Sequence, residues 1–320
     1  VLRSGRRVDR RHERLVRLHG ERAHELQVAV LDRHVLRLDH HAAGDVELVR
    51  VLDQRFEPVA TRVDRYTPDE RTDRPNLGAI RGTAGTLIVD GGASPAHLAA
   101  FAAELEAHGR PPVIAIALTH WHWDHSFGSS ALDVPVIACA ETAAGVAVQA
   151  GYAWDEASLR QRVDDGLELA FSLPHLLAEY TEDERTALAI VVPQITFADA
   201  YDVDLGDTVV ALRKVGGDHA ADSVVIWEPE DRVLFVGDAP YQCLWADEPY
   251  LTVAGVRDLL ARLDAFTPTH VVEGHGEDVL DPASWAAFLG DLAHACDVVE
   301  GRAAGGDDEL VGFLRAGQAR

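Results

Sequence analysis

Residues 113–118 are six apolar side chains in a row, and they run directly into Thr119-His120-Trp121-His122-Trp123-Asp124-His125. A short continuous apolar run reads as a strand buried on both faces. Core packing therefore fixes where the run ends, and the next few residues carry three imidazoles and a carboxylate. Residues i and i+2 in extended or turning backbone can converge on one ion, while i+4 and i+5 turn toward a second. Neutral imidazoles suit Zn²⁺, and the carboxylate adds a hard oxygen ligand. The plain alternative is a histidine-rich surface loop, which implies nothing about other strand ends.

Other strand ends do carry the same chemistry. Gly216-Gly-Asp-His219 follows a predicted strand at 208–215. Phe235-Val-Gly-Asp238 closes one at 232–236, and Val271-Val-Glu-Gly-His275 closes one at 269–273. Gly85-Thr-Leu-Ile-Val-Asp90 is an apolar strand ending in Asp-Gly-Gly, a turn signal. Any one of these residues alone would be an ordinary loop or capping residue; together they supply a full ligand set. Further strands are predicted at 58–66, 77–81, 134–138, 191–197 and 223–228. Ser94 and Pro95 mark the start of a helix at 96–108. Helices are also predicted at 255–266 and 282–299, and 141–189 reads as mainly helical. Alternating strands and helices argue for an α/β fold, which places its sites just beyond strand ends.

In these five separated motifs, taken in order over roughly residues 56–290, the chain resembles the metallo-β-lactamase-fold superfamily. The resemblance implies a four-layer αββα sandwich with two metals at one edge, between the sheets. It implies that His120, His122 and His219 hold the first metal, that Asp124, His125 and His275 hold the second, and that Asp238 bridges both. Asp90 would stand behind the ligands, and Asp218 or Asp222 could also orient an imidazole. The cofactors implied are two divalent ions, zinc first and iron as the alternative. Two such ions sharing a water lower its pKa toward about 7, which makes the enzyme a metal-dependent hydrolase. Asp124 is the catalytic candidate, orienting the nucleophile and passing a proton to the leaving group.

The stretch 217–238 is similar to zinc β-lactamases, but it has Asp238 where one lactamase group carries a metal-binding Cys. That departure resembles glyoxalase-II-like thioesterases, lactonases and phosphodiesterases. The substrate class expected is therefore a small ester, lactone, thioester or related bond, with β-lactams less favoured. A different chemistry remains open: a mononuclear iron persulfide dioxygenase would use His120, His219 and Asp238 as a facial triad. Trp121, Trp123 and Tyr241 are possible substrate contacts, and the aromatics and His175 of 141–189 could cap the site.

Charge limits the partners. The chain has 29 basic and 53 acidic side chains, a formal charge of −24. Residues 1–55 carry a local balance of +3, so the remainder carries −27. That disfavours nucleic acid and anionic membrane surfaces. No apolar run is long enough to span a bilayer. Two divalent ions would place positive charge at the site, so the bulk charge alone does not exclude an anionic small substrate. Three scattered cysteines fit a reducing, cytoplasmic location. Residues 1–55 read either as a poorly ordered extension or as upstream sequence outside the working protein, since the chain has no methionine. A catalytic domain is expected over 56–300, with 301–320 as a frayed tail.

Overall fold

The computed structural model describes residues 54–246 and 248–315. The reading of residues 1–55 therefore falls almost wholly outside the described residues. Seven strands form one sheet in chain order: β1 (Phe56–Pro58), β2 (Val63–Tyr66), β3 (Leu77–Gly82), β4 (Gly85–Val89), β5 (Val113–Ala117), β6 (Val136–Cys139) and β7 (Ile195–Phe197). The first four run antiparallel and β4 to β7 run parallel. A second sheet contains β8 (Ala200–Asp204), β9 (Val209–Lys214), β10 (Val224–Glu228), β11 (Val233–Gly237) and β13 (His270–Glu273) in the order β13-β11-β10-β9-β8. Its pairs are antiparallel except β11 with β13.

The central strands are apolar on both faces because both faces are covered. In β4, Leu87 and Val89 point to the second sheet while Ile88 points outward. In β10, Val224 and Ile226 point inward and Val225 outward. The inner layer joins Ile80, Leu87 and Val89 to Leu212, Ile226 and Phe235. Helix α1 (Pro95–Ala107) covers the first sheet with Leu98, Phe101 and Leu105. Ser94 caps it by accepting from the His97 N–H. Helices α7 (Val253–Leu263) and α8 (Pro282–Val299) cover the second sheet with Leu259, Leu263 and Trp285. The layers are therefore αββα. A short α2 (Trp123–Ser126) follows β5, and the stretch after β6 holds α3 (Ala140–Ala150), α4 (Glu156–Asp164), α5 (Ser172–Glu179) and α6 (Glu182–Thr186). Among the described residues, no helix is long and apolar enough to cross a membrane.

Three expectations need correction. The strand predicted over 58–66 is a hairpin of β1 and β2, because the N–H groups of Val59 and Ala60 both turn back to the Val63 carbonyl. Strand β8 was not foreseen. Only Val203 of its five side chains is buried, and its acidic side chains suit a sheet edge rather than a core. The tail from 301 does not simply fray. Helix α9 (Asp308–Phe313) docks on α8, and β14 (Leu314–Arg315) pairs in parallel with β12 (Leu251–Thr252). The Gly-, Ala- and Asp-rich stretch 301–307 carries no buried residue. Leu310, Val311 and Leu314 then supply an apolar face that packs with Val256, Leu292 and Cys296.

If that docking is integral to the domain, Phe313→Ala removes a ring that is only 7 % exposed. It is expected to cost about 3 kcal/mol, read as a lowered denaturation midpoint; an unchanged midpoint would mean the tail contributes nothing.

Candidate metal centre

Five loops leave the C-terminal ends of β4, β5, β9, β11 and β13 and meet at one edge of the sandwich. The β5 loop brings His120, His122, Asp124 and His125; the others bring Asp90, His219, Asp238 and His275. The structure gathers two groups of possible ligands: His120, His122 and His219, and beside them Asp124, His125, Asp238 and His275. Asp238 stands between the groups. Its Oδ2 lies 3.3 Å from His219 Nε2 and 3.9 Å from His120 Nε2 on one side, and 3.4 Å from His125 Nε2 and 3.5 Å from His275 Nε2 on the other. Asp124 Oδ2 is 3.1 Å from His125 Nε2 and 3.2 Å from His275 Nε2. Gly274 makes this packing possible, since a Cβ there would sit 1.8 Å from Asp238 Oδ1.

Hydrogen bonds outside the cluster decide which nitrogens point in. Asp90 accepts from the Thr119 N–H (2.7 Å) and hydroxyl (2.9 Å) and from His125 Nδ1 (2.8 Å). Because the Thr119 hydroxyl spends its proton on Asp90, it accepts from His120 Nδ1 at 3.1 Å. His219 Nδ1 donates to the Gln242 carbonyl at 3.0 Å. His120 and His219 therefore turn Nε2 inward with a lone pair, the arrangement that ligating histidines require, and His125 turns its Nε2 the same way. His122 faces His219 Nε2 through Nδ1 at 3.0 Å. Asp90 holds this position in a left-handed backbone (φ 64°), a conformation that costs a non-glycine residue.

The donor set fits metal ions. His120 Nε2, His122 Nε2 and Asp238 Oδ1 are buried without a hydrogen-bond partner, a costly state unless something else satisfies them. Burial, followed by neighbouring imidazole charge, keeps His120 and His122 well below the usual histidine pKa, hence neutral and able to ligate. Burial acts the same way on His125 and His275, but the surrounding carboxylates outweigh it and hold both well above their ordinary value. For Asp124 and Asp238, burial opposes ionisation, yet the adjacent imidazoles carry both far down. The second group thus favours a positive charge at its centre. The cluster could hold two cations.

The cluster floors a cleft of about 500 Å³. Trp121 and Trp245 form one wall, with ring centroids 5.9 Å apart. Glu168, Leu169 and Phe171 from the loop between α4 and α5, Ser172 at the start of α5, and Phe288 and Phe313 also line it. Trp123 reaches the lining, but it is 4 % exposed and packs with Phe127, Trp154 and Tyr180, so it is chiefly a core residue. Tyr241 lies on the lining with its ring 6.2 Å from His219 and 6.5 Å from His275. Burial and the nearby carboxylates of Glu273 and Asp238 push its hydroxyl well up, so it remains a neutral donor. His175 does not reach the cleft; it faces the Phe171 carbonyl at 2.9 Å. Asp218 accepts from Thr252 and Asp222 from Thr142, so neither orients a ligand imidazole. Trp245, Glu273 and Asp73, whose Oδ1 is 3.8 Å from His275 Nδ1, were not foreseen. No local motif marks them, although Glu273 sits within the Val-Val-Glu-Gly-His275 stretch.

The chain belongs to the Metallo-beta-lactamase superfamily, whose profile matches residues 73–295. The superfamily includes hydrolases and uses divalent metals, typically zinc. A stretch of 109 residues is 28% identical to the type 2 metallo-beta-lactamase of Bacteroides fragilis, covering 31% of this chain and 42% of that one, so less than half of that relative is spanned. Among solved structures, a metallo-beta-lactamase from Pontibacter korlensis superposes with a TM-score of 0.51 at 18% identity, over 75% of this chain and 99% of that one. The inverting sec-alkylsulfatase Pisa1 from Pseudomonas sp. gives 0.59 at 16% identity, over 82% and 48%. At these identities the two structures share the fold alone.

Two measurements follow from the site. Asp90→Asn should weaken metal binding about 10–100-fold in a competition titration; unchanged affinity would show that Asp90 orients nothing. Burial, and then Asp238, raise the Glu273 carboxyl from 4.5 to about 7. The folded protein therefore holds a proton that the unfolded chain releases, and this stabilising contribution is lost as pH rises through about 7. The loss is roughly 3 kcal/mol. In metal-free protein, Glu273→Gln should therefore gain thermal midpoint on its parent between mildly acidic and mildly alkaline pH. A constant offset at every pH would contradict this.

Proposed function

We propose that the protein is a dinuclear zinc-dependent hydrolase of small-molecule esters, lactones, thioesters or related bonds. The observation that carries this reading is the convergence of all seven candidate ligands, with inward lone pairs on His120 and His219 and an Asp238 carboxylate within reach of both groups. In this reading His120, His122 and His219 hold one ion, Asp124, His125 and His275 hold the other, and Asp238 is shared. Bound there, the ions supply Lewis acidity and a water of lowered pKa.

The remaining work falls to the chain. The Asp124 carboxylate, at the cleft floor, accepts a hydrogen bond from the attacking water, sets its direction and later returns a proton to the leaving group. The Tyr241 phenol keeps its proton and offers it as a hydrogen bond to a substrate oxygen. Trp121 and Phe171 exclude water from the apolar part of the substrate. The helical stretch from α3 to α6 supplies Gln149, Glu168, Leu169, Phe171 and Ser172 to the lining. It supports the reading of this stretch as a cap on the site.

The test combines metal analysis with a substrate panel of thioester, lactone, phosphodiester and β-lactam, the last prompted by the name of the Bacteroides fragilis relative. We expect two zinc ions per chain, activity removed by chelator and restored by zinc, and metal and activity lost together in Asp238→Ala. Asp124→Asn should fold but turn over far more slowly. One iron per chain, with oxygen consumed on glutathione persulfide, would overturn the proposal in favour of the mononuclear dioxygenase.

A further inference from the structure

We propose that the cleft recognises substrates carrying a positively charged nitrogen and turns away anionic ones; this rests on the hydrolase reading above. Among the described residues that line the cleft there is no Arg or Lys, whereas nine carboxylates line it besides Asp124 and Asp238. Basic side chains near this edge are spent elsewhere. Arg74 pairs with Glu179 at 2.8 Å, and Arg162 lies over the rings of Tyr152 and Trp154 while donating to the Ala153 carbonyl. Two divalent ions would bring four positive charges. Asp124 and Asp238 offset two of them, and among the described residues no basic side chain on the lining adds to what is left. Beyond the metal floor an anionic substrate would find acidic groups and no Arg or Lys to pair with.

Acidic lining alone would describe only a solvated rim. Glu273 points to a ligand. Its side chain is 7 % exposed, it faces the cleft, and its carboxylate has no hydrogen-bond or ion-pair partner among the described residues. A buried carboxyl group without a partner is open to one, and a substrate cation would both partner it and favour its ionised form. The aromatic wall adds the second element of cation recognition. Trp121 and Trp245 stand 5.9 Å apart, and Trp245 remains 37% exposed at the mouth. Indole faces at a cleft mouth attract ammonium groups through the ring quadrupole. Together they favour a substrate with a cationic end within the cleft and an ester or lactone carbonyl at its floor.

The test uses zinc-loaded protein and three para-nitrophenyl esters of one chain length, ending in methyl, trimethylammonio or carboxylate groups. We expect kcat/KM to rank cationic above neutral above anionic, with at least about a tenfold gap between the extremes, or about 1.4 kcal/mol. An independent readout is tryptophan quenching by choline against its uncharged carbon isostere, dimethylbutanol; choline should bind more tightly. Glu273→Gln should reduce the cationic-to-neutral ratio severalfold. Trp245→Ala, at an exposed position that tolerates substitution, should do the same and guards against a misfolded Glu273 variant. If the esters are cleaved with no charge preference or with the anion favoured, the inference falls and the hydrolase reading stands. If no ester is cleaved but choline still outbinds its isostere, the hydrolase reading falls and the cleft assignment stands. Equal binding of choline and isostere overturns the inference in either case.

Discussion

Five imidazoles and two carboxylates share one end of this sandwich, most of them out of water, and they are mutually tolerable only around positive charge. That constraint organises the surrounding structure. Asp90 accepts a strained backbone conformation so that one carboxylate can hold both the start of the β5 loop and the back of His125. Gly274 gives up a side chain so that Asp238 can stand between the two ligand groups. The carbonyl of Gln242 turns inward to hold His219. Each of these costs local stability, and the sheets on either side supply the rigidity that keeps them in place.

How much of this was legible depended on distance along the chain. His120, His122, Asp124 and His125 fall within six residues, so their spacing alone marked them. His219, Asp238 and His275 were visible because each follows a short apolar strand, and a strand end is a place that sequence can locate. Asp90 belonged to the same class. Glu273, Trp245 and Asp73 were not visible, because their meaning comes from neighbours far away in the chain: Asp73 faces His275, and Trp245 faces Trp121. Strand β8 was missed because edge strands need no apolar alternation. The tail was misread because composition over 301–308 concealed the apolar face that follows.

Net charge shows the same limit. A total of −24 says that the chain is acidic but not where the acid sits. Part of it is ordinary surface, as in the exposed pair of Arg213 with Asp202. Part of it lines the cleft, where no Arg or Lys among the described residues shares the lining. Location turns a solubility property into a filter on what can approach the site.

The cleft draws on two kinds of chain. The ligands come from loops anchored in the two large sheets, where a shift would disturb the core. Phe313 and Leu310 come from a short helix that belongs to neither sheet and is tied down by a two-residue strand pair. Such a segment can change in length or sequence without moving a ligand. Across related proteins, the reaction and the choice of substrate can therefore drift at different rates, one held by the sheets and the other carried by a replaceable flap of C-terminal chain.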